Sequence, residues 1–470
     1  MACGMASADT RPNILWIIVD DMSPNFGCYG EQTIATPRVD ALAAAGTRFS
    51  RAFVTAPVCS ACRSALITGM YQTSIGAHHH RSGRGVEKIT LPTGVVPIPE
   101  LFRAAGYFTC ITSWPRGKGL GKTDYNFTWD PAMYDGPDWS ARRPGQPFFA
   151  QVQLHGGKHR DGGGLKPPVQ RALGTLTDPA RVKLPPYYPE DDVLRRDWAA
   201  YLDAVRYTDL QVGEVLDRLE REKLADSTVV FFMTDHGISH ARGKQFLYDE
   251  GIHVPLVVRG PGWAAQAVRD DLVEHIDLAA TSLALAGIAR PTSMQGRDLS
   301  ARDLPAREAV FAARDRCDET VDQIRSVRTA QFKYIRNYLP SRPHLQPNRY
   351  KDGKPTVRRL RELHDSGQLS GLPEQLLFAE HRPTEELYDL TRDPFETRNL
   401  AADPAQAETL RAMRQRLEQW LVATGDRGQQ PEPAAMYESD MAEYLGSQKR
   451  DLDSLRKNIE LMKRWAAEGR

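Results

Sequence analysis

Short apolar runs that alternate with helical patterns are the feature that most restricts the fold of this chain. The first run, residues 13–19, is followed by residues 37–45, which carry apolar side chains at helical spacing and end at Gly46. Three later runs have strand character, at residues 148–154, 227–233 and 255–258. A helical pattern at residues 201–224 separates two of them. Such alternation is typical of an α/β sandwich, with a sheet between layers of helices.

The length of the chain predicts a second domain. At 470 residues it exceeds the size of about 250–300 residues at which one hydrophobic core stops growing. After about residue 310 the pattern changes to a strand-like stretch, a polar stretch, a further strand and a helix, at residues 324–338, 339–377, 386–390 and 403–423. We therefore expect a large α/β domain at residues 10–310 and a smaller α+β domain with an antiparallel sheet at residues 311–470. The charged tail, residues 440–470, predicts a solvated helix.

The composition excludes several classes of partner. The chain has 61 Lys and Arg against 60 Asp and Glu, and the basic residues are scattered, which argues against a nucleic-acid partner. No stretch approaches the roughly 20 apolar residues that span a bilayer, and residues 1–7 lack the pattern of a signal peptide. Six cysteines in so long a chain do not indicate a disulfide framework.

Acidic residues follow two of the apolar runs. Asp20 and Asp21 end the first run, and Asp235 with His236 ends the run at residues 227–233. The carboxyl ends of strands in an open α/β sheet collect binding sites, so we expect these side chains to meet. Crowded carboxylates need a compensating cation, and oxygen ligands suit Ca²⁺ or Mg²⁺. The alternative is that the two neighbouring aspartates only cap the following turn.

A cysteine and an arginine four residues later lie between these acidic pairs. Residues 59–63 read Cys-Ser-Ala-Cys-Arg, and residues 68–71 read Thr-Gly-Met-Tyr. This resembles the signature of type I sulfatases, C-x-P/A-x-R followed by a short helix and T-G-x-Y, with Ala61 in place of the commoner proline. The resemblance implies that a formylglycine-generating enzyme oxidises Cys59 to formylglycine.

Formylglycine accounts for the chemistry of such a site. A hydrated aldehyde carries two hydroxyls on one carbon, so one attacks sulfur and the other later expels sulfate. The N-terminus of the following helix and Arg63 would stabilise negative charge on oxygen. The competing interpretation treats Cys59 and Cys62 as a redox pair or half of a zinc site, although no second cysteine pair completes a zinc site.

The resemblance extends over most of the chain. Similar segments lie at residues 11–21, 36–40, 46–49, 234–237, 243–255, 386–394 and 399–400. It implies that the catalytic domain, residues 10–310, is an alkaline-phosphatase-like sandwich with a large mixed sheet between helices. It also implies the smaller C-terminal domain described above.

The resemblance also implies roles for individual residues. The metal ligands would be Asp20, Asp21, Asp235, His236 and the side chain of residue 59. Lys122 and Lys244 would hold sulfate oxygens, and Asp235 would help to deprotonate the attacking hydroxyl. The family usually has asparagine where this chain has His236. An imidazole nitrogen therefore replaces an amide oxygen, which leaves Ca²⁺ as the first choice and Mn²⁺ or Mg²⁺ as alternatives.

The general acid departs from the family pattern. The family's G-K-W-H becomes Gly-Lys-Thr-Asp at residues 121–124, so Asp124 stands where histidine is usual. His155 is the first candidate to protonate the leaving oxygen, and His159 is the alternative because residues 156–158 shift the alignment by one. A histidine at a strand end can also be an ordinary surface residue. In the run of histidines at residues 78–80, we expect one or two to line the substrate pocket.

The substrate expectation is a sulfated saccharide, because residues 235–248 and 392–400 are most similar to the N-sulfoglucosamine sulfohydrolase branch. Whether the sulfate is O-linked or N-linked stays open, as does the oligomeric state. One alternative is a phosphodiesterase or phosphonate monoester hydrolase of the same superfamily, where Asp-His-Gly is frequent. Another is a non-catalytic glycan-binding protein in which Cys59 stays unmodified and bonds Cys62. Family resemblance implies a periplasmic or secreted protein, although the chain shows no signal peptide.

Overall fold

A large sheet forms the centre of the protein. The structure, a computed structural model, describes residues 11–160 and 164–470. Within these ranges the large sheet has eight strands, which are β1 Asn13–Val19, β2 Thr47–Phe53, β3 Phe108–Ser113, β4 Phe148–Leu154, β5 Thr228–Thr234, β6 His253–Arg259, β7 Ala267–Arg269 and β8 Val273–Glu274. The main path runs β3-β4-β1-β5-β6-β2-β7, and β8 pairs with β2.

The sheet is mixed, but most of its strands point in one direction. Strand β1 pairs in parallel with β4 and with β5, whereas β6 runs antiparallel to both of its neighbours, β5 and β2. The register places Val19 opposite both Leu154 and Thr234. The carboxyl ends of β1, β4 and β5 therefore finish at the same level, so the residues that follow them share one edge.

Helices cover the sheet and fill the C-terminal region. In the described residues they are α1 Pro37–Ala44, α2 Cys59–Thr68, α3 Ile98–Ala104, α4 Pro167–Leu173, α5 Asp192–Arg221, α6 Asp249–Ile252, α7 Asp277–Leu285, α8 Arg349–Asp352, α9 Pro355–Asp365, α10 Gly371–Leu377, α11 Ala407–Thr424, α12 Ala434–Ser447 and α13 Leu452–Ala467. Every residue of α2 is buried, whereas α5 buries one face along its 30 residues. The Asp191 side chain caps α5 by accepting from the Val193 amide at 2.8 Å.

A second, antiparallel sheet follows the first. Its four described strands, in the order β12-β11-β10-β9, are β9 Val310–Arg314, β10 Ile324–Arg328, β11 Phe332–Asn337 and β12 Glu385–Asp389. Helix α11 packs on this sheet, with the Trp420 ring stacked on Phe311 at 5.1 Å between centroids. The same tryptophan meets Tyr71, just beyond α2, edge to face at 5.1 Å. Aromatic packing thus joins the second sheet to the segment after α2.

The expected α/β sandwich with a smaller antiparallel sheet is confirmed. The strand-like stretch 324–338 is a hairpin, β10 and β11, because the chain reverses at residues 329–331. The division at residue 310 remains a prediction, and its start at residue 10 lies outside the described residues, as does the segment 1–7. No helix in the described part of the chain has the length and apolar character of a membrane span.

The prediction of a solvated C-terminal helix is wrong. Residues 434–467 form two helices, α12 and α13, which pack on each other, and α13 also packs on α8. Helix α13 buries one apolar face, made of Leu455, Ile459, Met462 and Trp465. The charged residues between them hid this face, because they occupy the opposite side of a helix of period 3.6.

A pair of glycines allows two strand ends to approach closely. The Gly157 amide donates to the Asp20 carbonyl at 2.8 Å. A Cβ atom on Gly156 would lie 2.1 Å from the Asp20 carbonyl oxygen, and one on Gly157 would lie 2.3 Å from that of Asp21. No side chain fits at either position, so the segment after β4 packs directly on the backbone after β1.

This close approach predicts that adding a methyl group at Gly157, but not at Gly164, lowers the stability of the protein. Because the clash is with backbone, Gly157→Ala should destabilise the protein by about 1–3 kcal/mol. Gly164→Ala, on the same loop with open space around it, is the matched control. The measurement is thermal unfolding of the two variants and the unsubstituted protein by calorimetry. Equal stability of the two variants would contradict the described packing.

Candidate active site

The loops after β1 and β5 are held together by backbone hydrogen bonds. The Asp235 amide donates to the Val19 carbonyl at 2.9 Å, and the Met22 amide donates to the His236 carbonyl at 3.1 Å. The Asp21 amide also donates to the Asp235 carboxylate at 3.1 Å. The two acidic pairs are therefore neighbours, as the sequence predicts, and all four of their side chains are buried.

Cys59 lies directly against these pairs. It is the first residue of α2, which follows the extended Val58 after the end of β2. The Cys59 sulfur lies 3.1 Å from His236 Nε2 and 3.8 Å from Asp21 Oδ1. Burial raises the pKa of the Cys59 thiol, but Lys122, Lys158 and Lys244 outweigh it, so the net pKa is lowered. The site thus favours an anionic group at this position.

Four buried side chains form a group that fits a cation. One ligand atom each from Asp21, Cys59, Asp235 and His236 lies within 4.8 Å of all the others. His236 Nδ1 lies 2.9 Å from the Gly237 carbonyl, so this nitrogen carries a hydrogen, and Nε2 would offer its lone pair to a cation when the ring is neutral. Burial lowers the pKa of His236, but Asp235 and Cys59 outweigh it and the net pKa is raised, so a bound cation would compete with a proton for Nε2. Asp20 lies beside the group, with its oxygens directed to cations.

Three positively charged side chains surround Asp20. Its carboxylate accepts from Arg63, from Lys158 at 2.6 Å and from Lys122 at 3.1 Å. Burial raises the pKa of Asp20, yet Lys122, Lys158 and Arg63 bring the net pKa well below its usual range. Asp20 therefore stays ionised, and the positive groups stay close to Cys59.

Arg63 and Lys244 bind the other two carboxylates. Arg63 Nε donates to Asp235 at 3.1 Å, and its other nitrogens contact Asp20 and Gln153. Lys244 Nζ lies 3.2 Å from Asp21 Oδ1 and 3.4 Å from the Cys59 sulfur. Burial lowers the pKa of Lys244, but the charges of Asp21 and Cys59 together have a larger, opposite effect, so its net pKa lies well above the usual range. Cys59 is thus flanked by permanent positive charge.

The candidate proton donors, His155 and His159, and Asp124, which stands where the family has histidine, are not among the residues that contact Cys59. His155 is exposed at the end of β4, and its ring centroid is 5.6 Å from that of His159. His159 is buried, with its ring edge-on to Tyr207 at 4.8 Å. Asp124 pairs with Arg84 and lies 3.6 Å from Lys122. Burial raises the pKa of Asp124, but these cations hold it well below its usual range, so this carboxylate is a poor acid.

Two residues in the site were missed by the sequence reasoning. Lys158 reaches the site, with Nζ 3.8 Å from the Cys59 sulfur, because Gly156 and Gly157 bring its backbone close. The signal in the sequence is the Gly-Gly-Lys segment itself, because two glycines allow the lysine backbone to approach the strand ends closely. Tyr350 of α8 donates to Asp21 Oδ2 at 2.8 Å across 329 residues of sequence, and no local pattern indicated it.

The run of three histidines is mainly structural. Burial lowers the pKa of His78 to about 3, and it brings the pKa of His79 and His80 well below the usual range, so all three are neutral at pH 7. His80 Nδ1 lies 2.7 Å from the Ser60 hydroxyl, next to Cys59. The expectation of a pocket-lining histidine stays a prediction for these residues.

Cys62 faces away from the group around Cys59. Its sulfur donates to the Asp235 carbonyl at 2.6 Å, and burial raises its pKa well above the usual value. Both cysteines are free, and the ligand group found in the described residues includes Cys59 and leaves out Cys62. The two sulfurs therefore meet different environments, which argues against a shared zinc or redox role.

The chain is similar to known sulfatases over most of its length. The family profile described as Sulfatase matches residues 12–288, and the profile described as N-sulphoglucosamine sulphohydrolase, C-terminal, matches residues 236–345. An ulvan-active sulfatase of Formosa agariphila is 32% identical over 468 residues, which covers 90% of this chain and 76% of that protein. Human N-sulphoglucosamine sulphohydrolase is 29% identical over 486 residues, which covers 91% and 93%.

The fold is shared more widely than the sequence. A phosphonate monoester hydrolase of Agrobacterium radiobacter superposes with a TM-score of 0.63 at 17% identity, over 88% of this chain and 96% of that one. Solved sulfatase structures share the same alkaline-phosphatase-like sandwich. The profile match and the similarity to the Formosa protein decide between these groups. The chain belongs to the sulfatase family of sulfuric ester hydrolases.

Proposed function

We propose that this chain hydrolyses sulfate esters or N-sulfamates of a sulfated saccharide, with formylglycine at position 59 and a divalent cation beside it. One observation carries the proposal: Cys59 begins a buried helix and lies among two carboxylates, an imidazole and three lysines. Formylglycine would supply a geminal diol. One hydroxyl would attack sulfur as the S–O or S–N bond to the saccharide breaks and its alcohol or amine leaves with a proton, and the other hydroxyl would then lose its proton, re-form the aldehyde and expel sulfate by cleavage of the C–O bond.

The ligands proposed for the cation are Asp20, Asp21, Asp235, His236 and the side chain of residue 59. The fit rests on the buried group within 4.8 Å and on the lone pair of His236 Nε2. When bound, a divalent cation would stabilise negative charge on the hydrate and the sulfate oxygens. Ca²⁺ is the first candidate because three of the ligands are carboxylates, and the imidazole nitrogen makes Mn²⁺ the second and Mg²⁺ the third.

The positive side chains are proposed to bind the sulfate group. Lys122, Lys158 and Lys244 surround Cys59 and would donate to sulfate oxygens, as ammonium groups do to oxyanions. Arg63 contacts both Asp20 and Asp235, so it would hold these carboxylates in position and add positive charge behind the nucleophile. Asp235 is proposed to help to deprotonate the attacking hydroxyl.

His155 remains our proposed proton donor to the leaving oxygen, and His159 is the alternative. His155 is exposed at the end of β4, where a bound saccharide could reach it. Burial and nearby lysines lower its pKa, although Asp20 partly opposes them. A lowered pKa makes the protonated ring a stronger acid but leaves a smaller fraction of it protonated at pH 7, so donation by His155 would be favoured as the pH falls.

A sulfated saccharide is proposed because the similar proteins are named for such substrates, an ulvan-active sulfatase and N-sulphoglucosamine sulphohydrolase. A formylglycine-generating enzyme is the proposed activating partner, and a periplasmic or secreted location is proposed from family resemblance. Phosphonate monoester hydrolysis is a second candidate, favoured by the fold shared with such an enzyme and by His236.

The first prediction concerns the nucleophile. After coexpression with a formylglycine-generating enzyme, mass spectrometry of the peptide spanning residues 58–63 should show an aldehyde at position 59. The converted enzyme should hydrolyse aryl sulfate at least tenfold faster than aryl phosphate or phenyl phosphonate. Cys59→Ala should lose more than about 1,000-fold of kcat/KM, since the covalent route is then closed.

Cys28→Ala is the matched control, because Cys28 is a half-buried thiol remote from the site and should leave turnover unchanged. Faster phosphonate than sulfate hydrolysis would favour the second candidate. Turnover by a protein whose Cys59 remains a thiol would contradict the formylglycine mechanism.

The second prediction concerns the choice of metal. Because an amide oxygen is a harder ligand than an imidazole nitrogen, His236→Asn should weaken Mn²⁺ binding about tenfold relative to Ca²⁺ binding. The measurement is titration of each metal into chelator-treated protein by calorimetry. His364→Asn, a substitution on the surface helix α9, serves as the control. An unchanged ratio of the two affinities would show that His236 is not a metal ligand.

The third prediction separates sulfate binding from proton donation. If Lys158 holds a sulfate oxygen, Lys158→Ala should lower kcat/KM about 100-fold for nitrophenyl sulfate and for an alkyl sulfate alike. His155→Ala should lower only the rate for the alkyl sulfate, because a poor leaving group needs the proton. Lys183→Ala, an exposed lysine, is the control. A loss in Lys158→Ala that grows with the leaving-group pKa would instead identify Lys158 as the donor.

A further inference from the structure

We propose that Arg81 forms a subsite for a second anionic group of the saccharide, beside the sulfate that is cleaved. This inference rests on the proposed function and adds a requirement to the substrate: it carries two negative charges on the same sugar or on adjacent sugars. The second group is a carboxylate or another sulfate, since both offer the paired oxygens that a guanidinium recognises.

The backbone places Arg81 next to the nucleophile. The Arg81 amide donates to the Ser60 hydroxyl at 2.8 Å, and Ser60 follows Cys59 on the first turn of α2. The same hydroxyl lies 2.7 Å from His80 Nδ1. Arg81 has φ of 59°, a left-handed conformation that costs a non-glycine residue energy. The anchoring to Ser60 therefore fixes the backbone of Arg81 beside the residue that follows Cys59, and Cys59 is among the groups that raise the pKa of Arg81, after Asp318 and Asp124.

The helical hairpin of α12 and α13 fixes the other end of the segment that begins at Arg81, residues 81–85. The Asp440 carboxylate of α12 accepts from the backbone amides of Gly83 at 3.3 Å, Arg84 at 3.0 Å and Gly85 at 3.4 Å. Arg316 holds Asp440 in place with a bond of 2.7 Å. The segment at residues 81–85 is thus fixed at both ends, and a preorganised backbone reduces the entropy lost when its side chains bind a ligand.

The guanidinium group of Arg81 keeps capacity for a ligand. Its side chain is 43% exposed, and it meets Asp318 at 3.4 Å, which is longer than the 2.7–2.9 Å typical of a strong charged hydrogen bond. Arg84, 37% exposed, pairs more closely with Asp124. Arg81 is therefore the better placed of the two to exchange a loose protein contact for a bidentate contact with an anion.

The charge balance around Cys59 favours a second anion. One network of ion pairs joins five cations to four carboxylates, namely Arg63, Arg84, Lys122, Lys158 and Lys244 with Asp20, Asp21, Asp124 and Asp235. Arg81 forms a separate pair with Asp318, so six side-chain cations meet five carboxylates in all. A bound divalent cation would add two positive charges. A sulfate ester and a deprotonated hydrate together supply only two negative charges, so positive charge remains for a further anion to neutralise.

The test compares three ligands that share one sulfated hexosamine: the sugar alone, the sugar linked to a hexuronate, and the sugar with a second sulfate. Binding to the Ca²⁺-loaded Cys59→Ala protein is measured by calorimetry, so that turnover does not interfere. We expect at least one dianionic ligand to bind about tenfold tighter than the monosulfated sugar. Arg81→Gln should remove that advantage and leave the binding of the monosulfated sugar unchanged.

Arg81→Lys should restore part of the advantage, because it keeps the charge but loses the bidentate geometry. Arg143→Gln, an exposed arginine before β4 at the opposite edge of the sheet, is the control. Thermal unfolding checks that each variant is folded. Which dianion loses its advantage in Arg81→Gln identifies the group, carboxylate or sulfate, that Arg81 binds.

Two other outcomes have different meanings. If the dianions bind no tighter than the monosulfated sugar, or if they keep their advantage in Arg81→Gln, the subsite proposal is wrong while the sulfatase proposal stands. If none of the three ligands binds and aryl sulfate is still hydrolysed by the converted enzyme, the saccharide substrate class is wrong. If aryl sulfate is not hydrolysed either, the proposed function itself fails.

Discussion

Strands β4, β1 and β5 are paired in a register that ends all three at the same level, and the rest of the site depends on this constraint. Val19 lies opposite both Leu154 and Thr234, so Asp20, Asp21 and Asp235 leave the sheet at the same height. Three buried carboxylates in one place are unstable unless positive charge surrounds them, since the burial of each unpaired charge costs several kcal/mol. The arginine, the lysines and the proposed metal therefore follow from the strand register as much as from the chemistry.

The compensating groups come from elements that are distant in sequence. Arg63 comes from α2, Lys122 from the loop after β3, Lys158 from the turn after β4 and Lys244 from the loop after β5. Tyr350 adds a hydrogen bond to Asp21 from the second domain. Because each carboxylate has partners from at least two elements, displacement of one loop is felt by the others. The Gly156-Gly157 contact with the Asp20-Asp21 backbone is the tightest of these dependencies.

Much of this was predictable from local patterns. Continuous apolar runs identified strands β1, β4, β5 and β6, and apolar spacing of period 3.6 identified the helices α1 and α5, to within a few residues, except that α5 begins nine residues before the expected 201. The acidic pairs and the cysteine motif were readable because they are contiguous. The amphipathic tail was misjudged because its charges outnumber its apolar residues. The helices α8 to α10 were not predicted, because their sequences are rich in polar residues; in the structure α9 packs on α5, and α8 packs on α9 and α13.

By itself, the sequence determined the family and the class of fold and supplied the residues that we propose carry the chemistry, because these depend on short motifs and local periodicity. Only the tertiary structure decided that Lys158, and neither His155 nor His159, donates to the Cys59 sulfur, at 3.8 Å. It also decided that Tyr350 reaches Asp21 and that Asp440 fixes the segment bearing Arg81. These contacts join residues up to 357 positions apart. They arise from strand register, close glycine packing and the docking of a helical hairpin, none of which leaves a local pattern in the sequence.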